Sequence, residues 1–519
     1  MSSAMSPATA LLIQHAPVDC TRRVRVAPTE AAPASSGGRG LVQPSTISGP
    51  CGLLGDHTAT MPAKSGGEDS MTESVDTDRG GLHALDQRPM SPRQRYAALL
   101  VALGEFIDGY DLLVIGGALI FLRPQFHLSP AETGALGAAG FLGAMVGLVV
   151  FGDMSDRLGR RAIFVANLVF FVVFSIVSAF ITSVPQLFAV RFLVGLGVGM
   201  DIPTSTAYLA EIAPARHRGK VLGALTQITW ILGALTSTLV AIPLQWMFGD
   251  AAWRWMFGLA ALPAALVLLG RQGLPESPRW LIAHGRTEEA RHALASFGVE
   301  ATDEQLISTG GRGCWAELFR PPMRRRVWWV AAIFFLNCLA GPVATVATPY
   351  VIRTVGAFSM QTTLLFSTMV WGTSLLGAIG SFLLIDRIGR KLLCYLSLIP
   401  AGCLALLMGL TAGSSPTMLV VGYFAFSFFI WLGGPSLQWG WSSELFPTRL
   451  RGRSQGFCNG MCRLAIAINI FLVPVALASI GFGPFIALLS LPLFAYALIV
   501  NRIDMFESAG LSLEALEAH

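Results

Sequence analysis

From about residue 96 to 501 the chain alternates long apolar runs with short breaks that carry Gly, Pro and charged residues. Twelve runs can be drawn, over 96–121, 132–152, 162–182, 186–210, 221–246, 253–270, 327–352, 362–385, 392–411, 417–441, 454–478 and 483–501. Each is close to the roughly 20 residues that a helix needs to cross a bilayer. Only one connection is long, 271–326 between the sixth and seventh runs. The pattern therefore predicts an all-α membrane protein of twelve transmembrane helices in two six-helix bundles, 91–270 and 327–502, joined by a linker with short helices. Within that linker, Thr287-Glu288-Glu289 offers an N-cap and an acidic first turn, and Gly298 a stop.

The flanks read differently. Residues 1–90 are rich in Ala, Pro, Gly, Ser and Thr without a sustained apolar period, so a disordered extension is expected. Met90-Ser-Pro-Arg-Gln-Arg leads straight into the first run, which makes Met90 an alternative native start. Residues 503–519 form a short tail. Basic residues then orient the chain. Arg93/Arg95, Arg157/Arg160/Arg161, Arg216/Arg218/Lys220, the 271–326 linker, Arg387/Arg390/Lys391 and Arg449/Arg451/Arg453 all fall in alternate loops on one side. By the positive-inside rule that side, with both termini, is cytoplasmic, and a bacterial inner membrane is the expected location.

Composition agrees. The 519 residues are 53% hydrophobic and 13% charged, with a net charge of +5; soluble chains carry about a quarter charged residues. All eight histidines (His15, His57, His83, His127, His217, His284, His292, His519) lie outside the predicted spans, which argues against an intramembrane metalloenzyme. Cys338, Cys394, Cys403, Cys458 and Cys462 fall in spans without paired spacing and read as small buried hydrophobes. No metal, cofactor or nucleic-acid partner is implied; the lipid bilayer and a small-molecule substrate are.

Against this apolar background the first span holds three carboxylates, Glu105, Asp108 and Asp111, at a spacing of three residues. Ionisable groups at membrane depth are costly unless they face a cavity or a partner, and this spacing keeps neighbours on one side of a helix. Span four adds Arg191, small residues Gly195, Gly197 and Gly199 that allow close helix approach, and Asp201 before Pro203. Span eleven carries Arg463, too deep to reach the surface easily. A fixed guanidinium there fits a carboxylate bidentately, or else forms a structural ion pair.

The halves repeat. Asp156-Arg157-Leu-Gly-Arg160 recurs as Asp386-Arg387-Ile-Gly-Arg390, and Glu211-Ile-Ala-Pro-Ala-Arg216 recurs as Glu444-Leu-Phe-Pro-Thr-Arg449, at nearly the same displacement. Parallel repeats of this kind place a site at their interface near the membrane midplane.

With Gly152-Asp153-Met-Ser-Asp156-Arg157-Leu-Gly-Arg160-Arg161, Pro275-Glu276-Ser-Pro-Arg-Trp-Leu281 and Glu444-Leu-Phe-Pro447 followed by Arg451-Gly452, the chain resembles the major facilitator superfamily and its sugar-porter-like branch of metabolite transporters. The resemblance implies that Arg191 pairs with Asp111, that Gln227 and Trp439 stand at the substrate site, and that the loop motifs act as a gate. In that gate Asp153, Asp156, Arg157, Arg160 and Arg161 would pair with Glu211 or Glu444 across the gap between bundles, with Arg216, Asp386, Arg387, Arg390, Arg449 and Arg451 as further members. Pro275 to Leu281 would fasten the linker under the bundle. The chain departs from sugar porters in span seven, where Asn337 alone remains of a polar cluster, and in span eleven, where Asn459 is kept but Arg463 replaces a neutral position. These departures favour an anionic cargo.

The resulting expectation is a secondary active transporter, not an enzyme, that couples proton entry to uptake of a small organic anion by alternating access and works as a monomer. Asp108, Asp111, Asp201 and Arg191 are its proton-coupling candidates, with Asp108 first because it has no assigned partner. Arg463, Gln227, Asn337, Trp439 and Asn459 are its substrate contacts. Glu105, nearer the cytoplasmic end, is expected to reach water. A sugar or polyol symporter, a phosphate carrier, an efflux antiporter and a non-transporting membrane sensor stand as the other readings.

Overall fold

The computed structural model describes residues 89–214, 225–300, 315–321, 323–344, 346–356, 358–411, 416–446 and 448–502. The N-terminal extension, the tail, Arg216 and the side chains of Asp386, Trp439, Glu444, Arg449 and Arg451 lie outside what it describes. The twelve spans are α1 (Pro92–Phe126), α2 (Pro130–Leu158), α3 (Arg160–Ala179), α4 (Val184–Ile212), α5 (Thr226–Phe248), α6 (Ala252–Gly258 and Ala261–Arg271), α7 (Met323–Ala340), α8 (Met360–Ile388), α9 (Arg390–Leu410), α10 (Pro416–Glu444), α11 (Thr448–Ser479) and α12 (Phe482–Leu488 and Ser490–Arg502).

Local sequence explains where several of them start and stop. Ser91 opens α1 with a reciprocal capping box to Gln94, and Ser129 opens α2 likewise with Glu132, each followed by a proline at the first helical position. Gly249, at φ 55°, makes the reversal between α5 and α6. The seventh run does not stay a helix to 352. At Gly341-Pro342 it breaks into a 3₁₀ turn, Gly341–Ala344, and a separate helix, Thr348–Val355, because proline cannot continue the hydrogen-bond ladder. In the linker, Thr287–Ser296 is helical, but the cap position is Arg286, with no side-chain hydrogen bond, instead of Thr287.

Two six-helix groups pack together. In the first, α2 lies along α4 and α1 along α5; in the second, α10 is gripped by α8 and α9 while α7 lies along α11. The groups meet chiefly where α2 faces α11 and α5 faces α8. Small residues set the α2–α4 contact. A Cβ on Gly143, Gly147, Gly195 or Gly199 would collide with the backbone of the opposite helix, so these positions allow an approach that larger residues forbid. Gly197 instead faces α3, near Phe170. Outward faces remain apolar: Leu262, Leu266 and Leu269 on α6 and Leu410 on α9 are exposed, as suits a surface solvated by acyl chains. Cys403 is also exposed, while Cys394 and Cys458 are buried; the sequence pattern placed all of them inside because lipid-facing and core-facing positions are both apolar.

Candidate functional site

Three sets of charges occupy the spans, and they differ in how completely they are partnered. The first is Asp111 on α1 with Arg191 on α4, both buried, joined at 3.1 Å and 3.2 Å through one guanidinium nitrogen. The other terminal nitrogen donates to the Asp111 carbonyl at 2.5 Å, and the guanidinium lies 4.9 Å from the centre of the Phe257 ring. This is the pair that the sequence led one to expect.

The second set was not foreseen. Arg271, counted as the first linker residue and as a topogenic charge, is instead the buried last residue of α6, and it pairs with Asp201 at 2.8 Å. It also donates to the carbonyls of Leu100 and Val101 and sits 4.5 Å from the Phe164 ring centre. Asp201 accepts further bonds from Asn167 at 2.5 Å and Ser205 at 3.0 Å. Gly104 makes room for this arrangement, because a Cβ there would overlap the Arg271 guanidinium. The available signal was Asp201 itself, a buried carboxylate in need of a cation.

The third set is incompletely partnered. Asp108 is fully buried and neither of its carboxyl oxygens has a hydrogen-bond partner among the described residues. Arg463 is buried, its Nε is likewise unpartnered, and among the described residues no carboxylate lies within ion-pair distance of it. Glu105 does not reach bulk water as expected. It is only 7% exposed and lines the same cavity as Arg463. The reason is the direction of its side chain, which faces the space between the bundles instead of the cytoplasmic end of α1.

That cavity, of about 130 Å³, lies between the two bundles. A water site needs roughly 10–15 Å³ by the same measure, so the space suits a small metabolite. Gln227 on α5, Asn337 on α7, Gln438 on α10, and Asn459 and Arg463 on α11 line it. Asn337 leaves its Oδ1 unpartnered, whereas Gln438 donates to the Ile333 carbonyl at 3.1 Å and Asn459 to the Gln455 carbonyl at 3.0 Å. Trp230 and Trp431 form part of the wall and pack with Trp371 across the bundle boundary, with ring centres 5.7–6.0 Å apart. Nothing is described for the Trp439 side chain. Asp108, Asp111, Asp201 and Arg191 stand outside the lining.

The loop motifs gather at one end of the bundles, with one correction. Arg160 binds Glu211 at 2.9 Å and Asp156 at 2.7 Å, but Glu211 lies in the last turn of α4, so this pairing is internal to the first bundle instead of bridging the two. Proximity decides it, since α3 starts beside the end of α4. Among the described residues, the ion pair between bundles joins Asp153 on α2 to Arg453 on α11, at 3.1 Å, with Arg157 on the exposed side of Asp153 at 2.7 Å. Arg387 is exposed at the end of α8 and Arg390 is half-buried at the start of α9. Glu276 supplies what the sequence missed: its carboxylate accepts from the backbone N–H groups of Arg160 and Arg161 at 3.0 Å and 3.1 Å, capping α3 at its positive end. Arg161 donates to the Gln272 carbonyl, Trp280 to the Asp156 carbonyl and Tyr208 to the Pro275 carbonyl. Pro275 to Leu281 is thereby fastened under the first bundle, away from the cavity.

Comparisons with known proteins agree with this architecture. The family model described as sugar (and other) transporter matches residues 97–519. The putative metabolite transport protein YaaU of Escherichia coli is 30% identical over 436 residues, 83% of this chain and 96% of its own. The D-xylose transporter of Levilactobacillus brevis is 30% identical over 433 residues, 80% of this chain and 93% of its own. Among solved structures, the proton:xylose symporter XylE superposes with a TM-score of 0.69 at 23% identity, over 83% of this chain and 99% of XylE. The chain is an integral multi-pass membrane transporter of the major facilitator superfamily, and it belongs to the sugar (and other) transporter family.

Proposed function

We propose that the protein is a proton-coupled symporter that carries a small organic anion inward by alternating access, in a bacterial inner membrane with both termini cytoplasmic. The observation that carries this reading is Arg463, a buried cation at the cavity wall without a carboxylate partner among the described residues. Leaving such a charge unpaired in a low-dielectric site costs several kcal/mol. An anionic substrate would supply the partner, and its remaining polar groups would meet Gln227, Asn337 and Asn459.

Coupling follows from Glu105 in the same cavity and Asp108 one turn further along α1. An ionised carboxylate near Arg463 competes with the substrate for the guanidinium; a protonated one does not. Proton and anion binding then favour each other, and the favour is reciprocal by linkage. Asp108, with no solvent contact and no partner among the described residues, is the carboxyl best suited to be carried as the neutral acid, since an unpaired carboxylate at this depth is costly. Arg191 and Arg271 already hold Asp111 and Asp201, which gives those acids positioning roles. The Asp153–Arg453 bridge would bias the equilibrium between states by being made in one and broken in the other.

A second reading, a sugar or polyol:proton symporter, is favoured by the amides of the cavity and by relatives such as the D-xylose transporter. Binding to purified protein separates the two, using matched pairs of neutral and carboxylated compounds with phosphate alongside. Carboxylates bound well above their neutral partners support the anion reading, and the reverse order overturns it. In proteoliposomes loaded with the bound cargo, Asp108→Asn is expected to abolish proton-driven accumulation while leaving exchange intact. Undiminished accumulation removes Asp108 from the mechanism.

A further inference from the structure

Cys338 on α7 and Cys462 on α11 both line the cavity, and their Sγ atoms are 2.7 Å apart. In sequence they are 124 residues apart, which is why neither spacing nor motif joined them. We propose that this pair is a redox-active dithiol at the substrate cavity, closed to a disulfide by a small oxidant such as hydrogen peroxide, and that the closed form pins α7 to α11.

Three features of the site support this. The two sulfurs are already in contact on helices that pack along each other, which is the juxtaposition a disulfide requires. The cavity that Cys338 and Cys462 line offers a small polar oxidant a route to them, and Cys394 and Cys458 do not line it. Arg463, next in the chain to Cys462 and in the same wall, provides a counter-charge for an anionic sulfur. The chemistry balances with peroxide as the oxidant. The Cys462 sulfur attacks one peroxide oxygen, an S–O bond forms, the O–O bond breaks, and the departing hydroxide takes the thiol proton to leave as water. The Cys338 sulfur then attacks the sulfenic sulfur, the S–S bond forms, the S–O bond breaks, and the second water carries away the other thiol proton. Two thiols are oxidised and one peroxide is reduced to two waters.

Position gives the bond its consequence. Cys338 lies three residues before the break at Gly341-Pro342, and Gly341 and Pro342 also line the cavity. Tying Cys338 to α11 would fix the helical half of α7 to its neighbouring helix and stiffen the break that follows.

The test uses the purified full chain in nanodiscs, treated with hydrogen peroxide, alkylated, digested and analysed by mass. Expected is one major peptide pair joined through Cys338 and Cys462, two hydrogens lighter than its reduced parts and released by dithiothreitol. Cys338→Ser should yield no such pair and leave a sulfenic acid on Cys462 that dimedone traps; Cys462→Ser should yield none either. Full alkylation of both thiols after peroxide, or their joining to other cysteines, overturns the proposal. Hydrogen exchange over residues 339–347 is expected to slow several-fold in the oxidised wild type, and unchanged exchange overturns the pinning.

Discussion

The first bundle and the cavity between bundles handle buried charge in opposite ways. In the bundle, Asp111 meets Arg191 and Asp201 meets Arg271, with further donors from Asn167 and Ser205. Glu105 and Arg463 line the cavity and Asp108 lies one turn beyond Glu105 on α1, and none of the three makes an ion pair among the described residues. Satisfied charges fix helices relative to one another. On the proposed function, the others are held by that frame for a proton and a substrate to complete. Exposure does not separate the two regions, since Asp108 is as buried as Asp111; partners do.

The comparison breaks most readily at its strongest member. Arg271→Leu leaves Asp201 buried beside Asn167 without its cation, and loss of one partner of a buried pair costs about 3–5 kcal/mol. Thermal unfolding in detergent should show this variant far below wild type and Arg463→Leu close to it; equal losses would erase the distinction. Arg463→Gln removes only the charge. Hydrogen bonds to charged groups contribute about 1.5–3 kcal/mol, so carboxylate affinity is expected to fall about tenfold to a hundredfold while neutral compounds bind as before, measured by titration calorimetry. Gly104→Ala places a methyl against the Arg271 guanidinium, and overpacking of this kind costs about 1–3 kcal/mol. Its melting temperature should fall between those of wild type and Arg271→Leu. The smallest effect belongs to Asp153→Asn. This carboxylate is partly solvated, and such pairs contribute about 0–1 kcal/mol, so stability should hold while cysteine accessibility between α2 and α11 rises.

Much of the architecture was legible because membrane spans are long and their apolar content is unmistakable. The caps at Ser91 and Ser129 and the reversal at Gly249 emerged only from the structure, which starts α1 and α2 at prolines that precede the apolar runs. The Asp111–Arg191 pair was legible only through resemblance to relatives. Arg271 was misread because a charge at the end of an apolar run looks the same whether it stops in the headgroups or turns inward to an acid. Glu105 was misread because its position along the run does not say which way its side chain faces, and the structure turns it to the cavity between the bundles. Glu211 was given a partner across the bundles because its motif is repeated in the second half, but the nearer cation, Arg160, lies within its own bundle.

By itself, the sequence determined that the chain is a twelve-span membrane protein in two related halves, since hydrophobic length, loop charge and repeated motifs are local quantities written along the chain. It also determined that acids and an arginine must be buried somewhere within those spans. Only the tertiary structure decided which of them neutralise each other. Pairing depends on which faces of non-adjacent helices meet, and that is set by the packing of small residues such as Gly143 and Gly195, by the break at Gly341-Pro342, and by the contacts of α2 with α11. The same packing brought Cys338 beside Cys462 and left Arg463 facing the cavity without a carboxylate partner among the described residues.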